Sequence, residues 1–352
     1  MGVKGLLERL RDGEDVIVAE GYVFELERRG YLRAGAFVPE VVIEKPEAVT
    51  ALHEEFVHAG SDVVLAFTYY CHREKMRVIG REGDLEKINR QALRLARDVA
   101  NRTGTLMAGN ICNTTVYNHK NPETAAETRQ IFKEQVEWAV EEKADFIVGE
   151  TFGELGEALL ALEAIKIHGK GLPAVITLGI ASFDNRTFCG VPYLEALKKL
   201  EEAGADVVGL NCTRGPRTML PLIAEAKAAC KVPIAALPVV YRTTEQCVNF
   251  LALNDPDTGD FAFPTELPAL ACSRKEIAEF GRKCKELGVQ YVGLCCGNAS
   301  HYLREVAEAY GRHPGACRYS PNMRQHFIWG EDAEFKKSYS DDLRKMLKAQ
   351  PK

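Results

Sequence analysis

No run of apolar residues in this chain reaches 18, so no segment offers a membrane-spanning helix. No block of one charge stands out. Fifty Asp and Glu face 45 Lys and Arg, the net charge is −5, and no basic patch marks a nucleic-acid partner. The opening MGVKGLLERLRDGEDV carries no apolar core of a secretory signal, and Leu6 stands where a myristoylation signal needs Ser or Thr. No GxGxxG follows the first apolar run, which removes the dinucleotide-binding fingerprint. The expectation is a globular chain without membrane or nucleic-acid contacts.

Cysteine, in contrast, is plentiful. Eleven residues, an odd number spread over 352 positions, do not read as a small disulfide scaffold. The sequon NCT at 211–213 falls at the end of a predicted buried strand, where a glycan would wreck the packing. A reducing, cytoplasmic compartment is expected.

Short β-branched runs alternate with longer amphipathic ones. The runs 16–20, 62–68, 105–110, 145–150, 174–179, 206–212, 233–237 and 291–296 read as strands buried on both faces. The stretches 85–102, 191–203 and 275–287 read as helices between them. Three joints, HAGSDVV, EAGADVV and ELGVQYV, place a Gly between a helix end and a strand start. Eight strand–helix units predict a (β/α)8 TIM barrel over 1–315, with a short C-terminal tail, 316–352, that could serve as an interface element in a homo-oligomer. An open doubly wound sheet is the competing arrangement; the count of eight and the missing GxGxxG favour the barrel. A long segment, 239–273, dense in turn formers, is expected to act as a lid or interface on the catalytic rim.

The predicted strand ends carry Glu20, Tyr69, Tyr70, Asn110, Glu150, Asn211, Cys212, Cys295 and Cys296. In a barrel these converge on the C-terminal rim, where such enzymes keep their active sites. Cys212 and the vicinal pair Cys295–Cys296 would then meet across one intervening strand. Three thiolates leave a fourth tetrahedral position open, the layout of a catalytic zinc, and Gly297 allows the backbone to kink so that both neighbours can ligate. The bland alternative, three small buried hydrophobes, does not explain three thiols at two ends of one rim. The other eight cysteines show no such convergence.

The motifs GLNC (209–212) and GLCCGN (293–298) resemble the zinc motifs of the homocysteine S-methyltransferase family. GYVFELERRGYLRAGAFVPEVV, PEAVTALHEEFVHAGSDVV and FTYYCHREK look like the betaine–homocysteine branch of that family, and the similarity runs over about 1–315. The resemblance implies Zn2+ on Cys212, Cys295 and Cys296, and small-molecule substrates: homocysteine as acceptor and glycine betaine as methyl donor, giving dimethylglycine and methionine. It assigns Glu20, Gly21 and Glu150 to homocysteine. Glu20 stands where the family usually has Asp. It assigns Glu150 and Tyr70 to the catalytic centre and Phe37, Tyr70, Tyr22 and Thr151 to the donor. Here the pattern departs: Phe37 replaces a usual Trp, Thr151 a usual Tyr, and Tyr22 a usual Gly. A cage of aromatic faces suits a quaternary ammonium, which has no hydrogen to donate. The same match allows Tyr70 as a fourth zinc ligand when no thiol is bound. Two alternatives stay open: the same acceptor with another onium donor, such as dimethylsulfoniopropionate or S-methylmethionine, and a zinc- or redox-sensing protein.

Overall fold

The computed structural model describes residues 3–331 and 337–349. Eight parallel strands close into a barrel in sequence order. They are β1 (Val16–Ala19), β2 (Val63–Leu65), β3 (Leu106–Cys112), β4 (Phe146–Phe152), β5 (Ala174–Leu178), β6 (Val207–Asn211), β7 (Ile234–Leu237) and β8 (Tyr291–Leu294). The ring closes where β8 lies beside β1, Val16 opposite Tyr291 through Ala19 opposite Leu294. Nearly every strand residue is buried, because side chains point either into the barrel or under the helices outside it.

The principal helix after each strand is α1 (Pro46–Ala59), α2 (Leu85–Thr103), α3 (Thr124–Glu141), α4 (Leu155–His168), α5 (Tyr193–Glu202), α6 (Pro216–Ala229), α7 (Arg274–Glu286) and α8 (Ser300–Ala309). In α2 the buried residues Ile88, Ala92, Leu93, Ala96, Val99 and Ala100 form one stripe. The three helix–strand joints predicted from sequence close through left-handed Gly60, Gly204 and Gly288.

Strand ends depart from the expected bounds in ways that matter at the rim. β2 stops at Leu65 instead of running to Thr68: the Thr68 amide turns back to the Ala66 carbonyl at 2.8 Å, and Tyr70 adopts φ +59°. β3 and β4 run two residues further than expected, to Cys112 and Phe152. The segment 239–273 is a loop with two short 3-10 turns, Phe250–Ala252 and Leu267–Leu270, and isolated bridges pairing Tyr241 with Ala271 and Asn254 with Phe261.

The chain divides into two compact units, Met1–Gly315 and Ala316–Lys352. In the second, the described residues include the 3-10 turn Met323–Gln325 and a helix, Lys337–Lys348, where Arg344 donates to the Gly330 carbonyl at 3.0 Å. Residues 332–336 and 350–352 of the expected tail lie outside the described residues.

Candidate active site

The rim gathers three thiols from two strand ends. Cys212 Sγ stands 3.5 Å from Cys296 Sγ, and Cys295 Sγ 4.0 Å from Cys296 Sγ. All three sulfurs lie within 4.8 Å of one another. Tetrahedral sulfurs about 2.3 Å from a common centre stand about 3.8 Å apart, so this donor set fits a soft dication without rearrangement. Hydrogen bonds from Cys295 and Cys296 hold the Cys212 thiol well below its usual range. Burial pushes Cys295 up, and the bond with Cys212 pushes Cys296 up. A bound cation would draw the protons off these thiols.

The backbone around the thiols is specialised. Cys212 itself is left-handed, φ +56°. Gly297 has φ +81°, and a Cβ there would come within 2.6 Å of the Tyr241 hydroxyl and Val240 Cγ2. Gly21, φ +87°, packs its α-carbon face so near the Cys295 carbonyl that a Cβ would sit 2.3 Å from the oxygen. Only glycine lets the end of β1 approach the thiol turn this closely.

Beside the sulfurs lie two buried carboxyls. One oxygen each of Glu20 and Glu150, together with Cys295 Sγ, fall within 4.8 Å of one another. Asn211 bridges them: its Nδ2 donates to Glu20 Oε2 at 3.2 Å and to Glu150 Oε2 at 2.9 Å. Asn110 donates to Glu150 Oε1 at 2.5 Å. Burial pushes Glu150 up to about 7. Burial and then the proximity of Glu150 raise Glu20 well above the usual carboxylate range. Like charges that share a dry site cannot both ionise unless a cation joins them. Glu20 Oε1 is buried and, among the described residues, has no hydrogen-bond partner.

A cleft of about 370 Å³, open space at its mouth included, adjoins this cluster and is lined among others by Gly21, Tyr22, Tyr69, Glu150, Cys295 and Cys296. Of the four residues expected to bind the donor, Tyr22 is among those that line it. Tyr70 is partly buried, its ring centroid 4.4 Å from that of Tyr69, and its amide donates to Cys112 Sγ at 3.2 Å. Phe37 joins an aromatic cluster with Phe24 at 6.0 Å and Phe263 at 6.5 Å, so the loop 239–273 packs against it. Thr151 Oγ1 accepts from Asn211 Nδ2 at 2.8 Å. Tyr22 lines the cleft and is also held by its neighbours. Its hydroxyl is 2.9 Å from His53 Nδ1, and its ring stacks on Phe67 and meets Phe56 edge-on. Packing on α1 fixes the ring where it lines the cleft.

Phe37, Tyr70, Thr151 and Cys212 share a further property: each is a non-glycine residue at positive φ, between +54° and +61°. Each such residue costs on the order of 1–3 kcal/mol, and a β-branched Thr is among the least suited to it. Strain of this kind collects where a side chain must be aimed. Sequence reasoning noted Asn110 and Asn211 at the rim but gave them no role; an amide after an apolar strand gives no sign that it will bridge two acids.

Residues 17–310 match the model of the family described as homocysteine S-methyltransferase. The betaine–homocysteine S-methyltransferase 1 of Mus musculus is 34% identical over 336 residues, covering 93% of this chain and 79% of the relative. The S-methylmethionine–homocysteine S-methyltransferase of Mus musculus is 33% identical, covering 93% and 86%. The metallated form of the homocysteine methyltransferase MmuM from Escherichia coli matches in fold, with TM-score 0.67, 16% identity, and coverage of 86% and 99%. The chain belongs to the homocysteine S-methyltransferase family and is a methyltransferase.

Proposed function

We propose that the barrel, residues 1–315, is the catalytic unit of a zinc-dependent enzyme that moves a methyl group from glycine betaine to homocysteine. The observation that carries this reading is the adjacency of three sulfurs to a pair of buried acids with one unpartnered oxygen. An amino-acid thiol needs both halves: a soft cation for its sulfur and a carboxylate for its ammonium.

Cys212, Cys295 and Cys296 would hold Zn2+. When bound there, it keeps the substrate thiol deprotonated near neutral pH, so that a sulfur nucleophile is available. Glu20 and Glu150 take the substrate ammonium, and its charge lets both acids ionise together. Asn211 and Asn110 fix the two carboxylates before substrate arrives. The Tyr69–Tyr70 rings, with Phe37 beyond, face the onium. Sulfur attacks a methyl carbon as the carbon–nitrogen bond breaks, and the electron pair returns to nitrogen. The leaving amine is neutral, so no general acid is required. Methionine and dimethylglycine leave.

The names of the curated relatives support this acceptor and divide between two donors, betaine and S-methylmethionine. The test is incubation of the reduced, zinc-loaded protein with homocysteine and, in turn, glycine betaine, dimethylsulfoniopropionate and S-methylmethionine. Methionine is expected to form fastest with betaine. No methionine with any donor would overturn the reading.

A further inference from the structure

The short helix Arg73–Val78, which follows the Tyr69–Tyr70 turn, brings a cation to the rim. Lys75 lays its ammonium over the Tyr70 ring, Nζ 4.2 Å from the centroid. The side chain is half-buried, and burial draws its pKa down from the ordinary ammonium value. Among the described residues no carboxylate pairs with it. The adjacent Glu74 is held by Arg77 at 2.7 and 2.6 Å, and Glu82 and Glu134 are held by Arg73 at 2.8 and 2.9 Å. Every acid nearby in sequence is thus taken by an arginine, while a partly desolvated ammonium lies over the Tyr70 ring, with the Cys112 thiol near enough to act on it.

That placement conflicts with a simple cation cage. An ammonium already on the ring competes with an incoming onium for the same quadrupole and repels it. A donor that brings its own anion reverses the sign. We propose that Lys75 reads the anionic end of the methyl donor: with the onium against the Tyr69–Tyr70 rings, the Lys75 ammonium takes the donor's carboxylate, so the site selects onium carboxylates over bare onium cations. This rests on the methyl-transfer reading above and names its donor class. Glycine betaine carries its carboxylate one methylene from nitrogen and has no second cation. Dimethylsulfoniopropionate is of the same class with a longer spacer. S-methylmethionine adds an ammonium beside its carboxylate and is disfavoured by Lys75. Tetramethylammonium offers no anion at all.

The bland reading of Lys75 is an aliphatic stem covering a ring with its charge in water. Lys75→Met keeps the stem and removes the charge, so it separates the two. In the zinc-loaded enzyme, Lys75→Met is expected to raise the KM for glycine betaine on the order of tenfold or more, the scale of one charge-assisted hydrogen bond. The rise sits in KM and not in kcat, and homocysteine affinity, titrated separately, stays put. Inhibition by tetramethylammonium becomes tighter, because a like charge has gone. Lys75→Arg restores the betaine KM to within a few-fold. If the wild type turns over betaine and Lys75→Met leaves its KM and the tetramethylammonium inhibition unchanged, Lys75 is surface packing and the inference is overturned while the methyl-transfer reading stands. If the wild type makes no methionine from any onium donor, both fall together.

Discussion

The side-chain nitrogen Nδ2 of Asn211, at the end of β6, lies 2.9 Å from Glu150 Oε2, near the end of β4. The same nitrogen reaches Glu20 on the far side of the barrel mouth, and the Asn211 carbonyl accepts from the Thr151 amide and the Thr177 hydroxyl, each at 2.9 Å. One side chain thereby sets the spacing of two acids and the course of β4.

Replacing that donor by an acceptor should therefore undo the acid pair. Asn211→Asp places a third carboxyl among two that already resist ionising, and homocysteine affinity is expected to fall more than tenfold at neutral pH. Calorimetric titration with homocysteine reads the loss directly. Unchanged affinity would mean that Glu20 and Glu150 do not hold the substrate. Leaving buried partners unpaired should also lower stability by about 1–3 kcal/mol.

Metal content provides a second check. The protein purified under reducing conditions should contain one zinc per chain by elemental analysis, and Cys295→Ala should lose it. Glu150→Ala should keep its zinc while binding homocysteine more weakly, since the acids and the sulfurs are separate donor sets. Well-reduced wild type without metal would remove the thiols from the chemistry.

The contribution of the Tyr70 ring can be isolated from its hydroxyl. Tyr70→Phe preserves the aromatic face and should change the donor KM little. Tyr70→Ala removes cation–π attraction of roughly 0.5–2 kcal/mol and should raise that KM several-fold. Equal effects from both variants would assign the role to the phenol, as a metal ligand would require.

How much of this was readable beforehand depends on the kind of signal. Runs such as DVVGLNC announce their strand because a barrel strand is buried on both faces, and the thiols announce their site because few other roles need three of them at one rim. The packing of Tyr22 was not legible, for an equally physical reason. One residue after a left-handed glycine, a ring can turn outward to the mouth or inward to the helix layer, and only the presence of Phe56, Phe67 and His53 decides it. Lys75 gave no signal at all, since a lysine in REKMRV looks like solvated surface until the Tyr70 turn brings a ring beneath it.

His53, the hydroxyl partner of Tyr22, gives the fold an acid limit. Burial lowers its pKa from 6.5 to about 3, and burial lowers His72 to about 4. Below pH 6.5 the unfolded chain gains protons that the folded one refuses, so stability falls as pH drops, by up to about 1.4 kcal/mol per pH unit for each histidine, and levels off near the folded values. Above pH 6.5 neither contributes. In His53→Leu the urea midpoint should decline less steeply between about pH 6 and 4 than in wild type. Parallel declines would show that His53 is not the group that titrates.

The closure of β8 against β1 also fixes an order of events during synthesis. Glu20, Glu150 and Cys212 leave the ribosome well before Cys295 and Cys296, and the last strand supplies two of the three sulfurs as it slots between β7 and β1. The three sulfurs therefore meet only in a molecule whose barrel is already complete.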